Sequence, residues 1–151
     1  MAKFNFRLAT LLKLREATRD ERRQQLAKAF EAEEILRRQA LQVDETLTEL
    51  HAHARKIAGP GRVNADSLLE AQRFELVLKA HKQELGRQQE MVRAEIEQRR
   101  AALVEANRDA QILQRLRERQ YERYREEENR REIRVLDEAA QRGALSKEFQ
   151  E

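Results

Sequence analysis

The sequence predicts an all-α fold: two long, unequal helices forming an antiparallel coiled-coil hairpin, the second overhanging the first at the paired-terminus end. Three observations carry this. Of the 151 residues 39% are charged and 5% aromatic, against about 25% charge in an ordinary globular domain, so the apolar volume for a compact core is missing. Apolar residues recur at alternating steps of three and four along almost the whole chain, the period of a coiled coil. Gly59-Pro60-Gly61 is the one break in that pattern. Disorder is disfavoured because the formal net charge is only +3 and the apolar residues are periodic.

The first helix is expected over about residues 4–58. Its seam runs through Leu8, Leu12, Leu26, Ala29, Leu36, Ala40, Val43, Leu47, Leu50, Ala54 and Ile57, interrupted by Arg15, Arg19, Arg22 and Glu33. The turn, residues 59–64, begins with Gly59, expected to take the left-handed conformation that ends a helix, followed by Pro60, which cannot continue one. Asn64 is the expected N-cap of the second helix, with Asp66 in its positive first turn and Val63 placed to staple onto Leu68. That helix is expected over about residues 65–142. Its seam comprises Leu68, Phe74, Leu78, His81, Leu85, Gln88 and Val92, then, after an extra four-residue step, Ile96, Leu103, Ala106, Ala110 and Leu113. Such a stutter unwinds a coiled coil locally without ending it. Gly143 is the expected stop, and residues 143–151 read as a flexible tail. The whole chain is one coiled-coil domain on this reading. Gly86, within the second helix, costs about 1 kcal/mol relative to Ala and reads either as a bend or as a tolerated residue.

An antiparallel hairpin requires facing residues to have numbers with a constant sum. The seam obeys: Ile57 is expected to face Leu68, Leu50 Phe74, Leu47 Leu78, Ala40 Leu85, Ala29 Ile96 and Leu12 Leu113. Arg15 and Arg19 then face the small residues Ala110 and Ala106, which leave room for their aliphatic stems. Beyond about residue 120 the second helix has outrun the first, leaving roughly 20 residues as a lone extension at 1.5 Å per residue. Tyr121, Tyr124, Ile133 and Leu136 on this extension have no expected partner within the hairpin, and such residues normally bind something.

Catalysis and metal binding are not expected. His51 and His53 point about 200° apart on a helix, and His81 reads as a polar seam residue opposite Val43 that fixes register. The chain has no Cys, which removes disulfides and thiolate metal sites and fits a reducing cytoplasmic compartment. Neither a Gly-rich phosphate loop nor a nucleophile elbow is present, and no apolar run reaches the length of a membrane span. Residues 115–134 hold eight Arg against six Glu, a mixed-charge face and not a phosphate-binding stripe. The N-terminal 23 residues hold seven Lys or Arg against three acids, so the paired-terminus end is positive and suits an acidic protein surface. Arg15, Arg19 and Arg22 are either stems crossing a two-stranded seam or part of a surface contacted by a partner. Phe4, Phe6, Leu8, Leu11 and Leu12, a wider apolar face than one helix covers, support the second.

Phe4-x-Phe6-x-Leu8-x-x-Leu11-Leu12-x-Leu14-Arg15-x-x-x-Arg19, the central turn, Ala106-x-Arg108-x-x-x-x-Leu113-x-x-Leu116-x-Glu118-Arg119 and the late Leu136-Asp137-Glu138-Ala139 together resemble the flagellar export protein FliJ family across nearly the whole chain. The resemblance implies a non-catalytic stalk or adaptor of the bacterial flagellar type III export apparatus, cytoplasmic and peripherally associated with the inner membrane, serving motility and chemotaxis. It further implies that the paired termini insert into the hexameric ring of the export ATPase, promoting its assembly and activity, and that the chain meets the export-gate membrane protein and the export chaperones. No cofactor, nucleic acid or direct membrane insertion is implied. The candidate ATPase contacts are Phe4, Phe6, Leu8, Leu11, Arg15, Arg19, Arg119, Tyr121, Arg123 and Tyr124; the candidate gate contacts are Phe30, Leu41 and Leu76. The alternatives are the equivalent stalk of a virulence type III secretion system and, more distantly, a generic coiled-coil adaptor or nucleic-acid-binding hairpin, since the positive end would also suit nucleic acid.

Overall fold

The computed structural model describes residues 3–148. It is an all-α protein of two helices packed against each other as a helical hairpin, α1 (Ala9–Ile57, 49 residues) and α2 (Ala65–Glu148, 84 residues). Two compact units divide it: residues 20–104, and residues 105–151 with residues 1–19.

In the unit of residues 20–104, Val43, Leu47, Leu78 and Leu85 form a buried cluster with Leu36, Ala40 and Leu50 packed on it. Ala29 and Ile96 are buried further along the same seam. Polar pairs flank it and repeat the antiparallel register: His51 with Glu75 at 3.0 Å, Lys82 with Asp44 at 2.5 Å and Arg93 with Glu33 at 3.9 Å, while Arg99 donates to the Gln25 carbonyl. Such exposed pairs stabilise little individually, but each fits one register only. His81 departs from expectation. It is exposed, because the side chain that reaches across at this level is that of its neighbour Lys82. Phe74, expected in the seam, is 47% exposed.

The turn forms as the sequence requires, with one change of detail. Gly61, with φ of +147°, is the residue in the left-handed half of φ space; Gly59 instead closes the last turn of α1 by donating to the Lys56 carbonyl at 3.3 Å. Asn64 caps α2 as expected, its Oδ1 accepting from the amides of Asp66 (3.1 Å) and Ser67 (3.4 Å).

In the unit formed by the termini, Phe6, Leu12, Ala106 and Ala110 are buried. Arg15 lies across the seam as expected and ends on Asp109 at 3.2 Å, and Gln114 donates to Glu16 at 2.9 Å. Both ends of the helices differ from the sequence expectation. Residues 3–8 are not helical, and α1 begins only at Ala9. At the other end α2 passes through Gly143 and continues to Glu148. A helical glycine costs about 1 kcal/mol but does not block the helix, and no proline follows to enforce a stop. The last three residues of the expected tail, 149–151, lie outside the described residues.

Leu85 is 2% exposed and Gly86 beside it has open space where a Cβ would sit. Adjacent substitutions therefore act in opposite directions. Leu85→Ala is expected to destabilise by about 2–4 kcal/mol and Gly86→Ala to stabilise by about 0.5–1 kcal/mol, as read by thermal unfolding followed by circular dichroism.

Candidate functional site at the paired termini

The N-terminal segment forms a strap because Phe4 and Phe6, two positions apart, cannot both face one neighbour from a helix, whereas an extended chain leaves both able to reach it. Phe6 is 5% exposed and anchors the strap, and its carbonyl accepts from the Ala9 amide at 3.1 Å where α1 starts. Phe4 packs on α2. Its ring lies 5.3 Å from that of Tyr121, edge to face at 70°, and 5.6 Å from that of Tyr124, tilted by 45°. Both spacings fall within the range of favourable aromatic pairs. The expectation that Tyr121 and Tyr124 lack a partner within the hairpin is thereby corrected for these two residues.

The candidate ATPase contacts separate accordingly. Phe4, Tyr121 and Tyr124 are brought together in one cluster. Phe6 is buried in the chain by itself, 5% exposed. Leu8 is half-buried, Leu11 is 38% exposed, and Arg119 and Arg123 are exposed on α2. Arg15 is engaged with Asp109; Arg19 is half-buried. Leu14 (61% exposed) and Ile112 (58%) extend the exposed apolar surface of this unit. Sequence reasoning passed over both because it followed the seam, although Leu14 stands three residues after Leu11.

Two clefts share Phe4 in their linings. One, of about 460 Å³, is lined by Phe4, Glu16, Gln114, Arg117, Glu118 and Tyr121. The other, of about 320 Å³, shares Phe4, Glu16 and Arg117 and adds Asn5, Phe6, Ala9, Leu12 and Lys13. Past Tyr124, α2 continues with Ile133, Val135 and Leu136 each more than half exposed.

The candidate gate contacts lie in the other unit and do not form one patch. Phe30 and Leu41 stand on α1 about 16 Å apart along the axis; Leu76 is on α2 and 68% exposed. The Arg100 guanidinium lies 5.3 Å from the Phe30 ring centroid, a cation–π geometry. Beside Phe30, a cleft is lined by Glu33, Glu34, Arg37, Gln89 and Arg93. Hydrogen bonds from Arg37, then from Arg38, hold the Glu34 carboxyl down at about 2. Lys79, then His51, likewise lower Glu75. Among the described residues no group of His, Cys, Asp and Glu is placed to hold a metal ion, and no helix is long and apolar enough to cross a membrane.

Fold and surface together define a coiled-coil structural component, in which function lies in exposed side chains along two helices. The chain belongs to the flagellar FliJ family: that family, described as Flagellar FliJ protein, matches residues 4–148. No curated protein and no solved structure matches significantly. Membership makes the chain a component of the flagellar export apparatus, in a family that is non-catalytic.

Because Glu34 titrates below its ordinary value of 4.5 in the folded chain, its ion pairs contribute in full above pH 4.5 and are lost as pH falls through about 2. A carboxyl-resolved NMR titration is expected to place Glu34 near 2. Arg37→Gln is expected to move that midpoint upward, since Arg37 is the largest cause of the shift.

Proposed function

We propose that this chain is the stalk of the flagellar export ATPase, its paired-terminus end seated in the hexameric ring and its other unit meeting the export-gate membrane protein and export chaperones. One observation carries the reading: beyond the start of α1, α2 runs on past an aromatic cluster with Ile133, Val135 and Leu136 each more than half exposed and, among the described residues, not covered by α1. Lys3, Arg7 and Lys13 are all exposed around the start of α1, and the first 23 residues hold seven Lys or Arg against three acids; a net positive, partly apolar end favours an acidic channel. The clefts beside Phe4 are open and mixed in polarity, which suits a protein surface better than an enclosed small-molecule site.

The work done on this reading is mechanical. A stalk that binds one arrangement of the ring more tightly than another shifts the ring toward it, raising assembly and turnover while the chemistry stays in the ATPase. Phe30, Leu41 and Leu76 are the positions assigned to the gate. Peripheral association with the inner membrane then arises through the gate protein, with no insertion by this chain.

The purified chain is expected to raise the turnover of its cognate ATPase most strongly at low ATPase concentration, where assembly limits the rate. A chain ending at Gln120 is expected to lose most of that stimulation while Leu76→Asp keeps it. No stimulation by a chain that is fully helical by circular dichroism would refute the stalk reading.

A further inference from the structure

We propose that the N-terminal strap is a displaceable clasp: Phe4 packs against Tyr124, which is half-buried, and against one side of Tyr121, which stays 46% exposed, and a partner that uses those two rings binds by taking the place of Phe4. The proposal rests on the reading that the export ATPase contacts this end, and it changes the part Phe4 plays there, from a contact to a cover.

The strap is built unevenly. Phe6 is buried and fixed beside the start of α1, while Phe4, two residues away, is half-buried and held by one edge-on and one tilted ring contact. Two open clefts, of about 460 Å³ and about 320 Å³, share Phe4 with Glu16 and Arg117 in their linings, so part of the Phe4 side chain faces open space and not packed neighbours. Residues 3–6 are outside regular secondary structure, and rotation about the backbone at Asn5 moves Phe4 without disturbing Phe6 or the α1–α2 seam. What such a movement uncovers is specific: two tyrosine rings one turn apart on α2, immediately before the stretch where α2 continues alone. An incoming apolar or aromatic side chain would find there the same edge and face geometry that Phe4 now satisfies.

A cover of this kind lowers apparent affinity by the fraction of time it is closed. Removing Phe4 therefore strengthens partner binding, whereas a simple contact residue would weaken it on removal. The test is titration calorimetry of the full-length chain with the cognate export ATPase, comparing the wild type, Phe4→Ala and the double variant Tyr121→Ala/Tyr124→Ala. The clasp requires Phe4→Ala to bind roughly two- to tenfold tighter and the tyrosine variant to bind more weakly. Unchanged or weaker binding by Phe4→Ala, with the tyrosine variant still impaired, overturns the clasp and leaves the stalk standing. Undiminished binding by the tyrosine variant overturns the clasp together with the assignment of these rings to the ATPase. A second measurement does not depend on removing Phe4. Since the chain has no native cysteine, spin labels at Lys3→Cys and Arg125→Cys report the strap directly. Their separation is expected to lengthen when the ATPase is added, and an unchanged distance in the bound state overturns the proposal.

Discussion

A pair of helices can bury only one narrow stripe of each, and that limit governs the rest of this structure. The buried residues are a short series of aliphatic and small side chains, with alanines at Ala29, Ala106 and Ala110 where the helices approach closely, and no charged or polar residue is buried among the described ones. Stability is therefore spread thinly along the seam, and each position interacts mainly with the few residues opposite it. Most side chains off the stripe face solvent, so the charge that fills the outer faces costs little and keeps a long apolar-edged helix from associating at random. The same limit leaves large side chains such as Leu14, Leu76 and Ile133 exposed.

Register is the second consequence. A seam of leucines and alanines tolerates a slip by one heptad at modest cost, because similar residues meet again. The flanking pairs do not. Lys82 reaches Asp44, His51 reaches Glu75 and Arg15 reaches Asp109 in one alignment, and a slip would leave these groups beside unrelated neighbours. Individually weak ion pairs thus act as specificity devices more than as sources of stability. The short turn reinforces them: Gly61 takes a backbone conformation that side chains resist, and Asn64 restarts the helix at once, so the alignment is set from the turn outward.

The seam, the turn and the N-cap were legible in the sequence because each depends on neighbours within a turn or two. Heptad spacing is local, and so are a glycine-proline pair and an asparagine three residues before the end of the first helical turn. The departures came where a residue's state depends on something distant. Phe4 and Phe6 continue the apolar character of the α1 stripe and read as its first turn, yet their spacing of two is a strand period, and Phe4 meets tyrosines far along α2 that local spacing does not reveal. Gly143 reads as a stop because glycine commonly ends helices, but nothing beyond it supplied a competing structure. His81 sits at a seam position by counting, and the longer Lys82 reaches across beside it instead. Of the candidate surface, Tyr121, Tyr124, Leu11, Arg119 and Arg123 were placed on the terminal unit by counting alone; what counting did not reveal is that Phe4 already occupies two of them.

That last point bears on how a two-helix protein can be regulated at all. Among the described residues the buried side chains form a single narrow seam, so most outer residues are exposed whether or not a partner is present. A short extended segment at a terminus is one of the few elements that can cover part of this surface and leave again without breaking the seam. Its anchor must lie inside the packed region and its cover outside it, which is the division between Phe6 and Phe4. Placed at the end where α2 continues unpaired, the strap lies at the boundary between the part of the chain that is complete in itself and the part that is not.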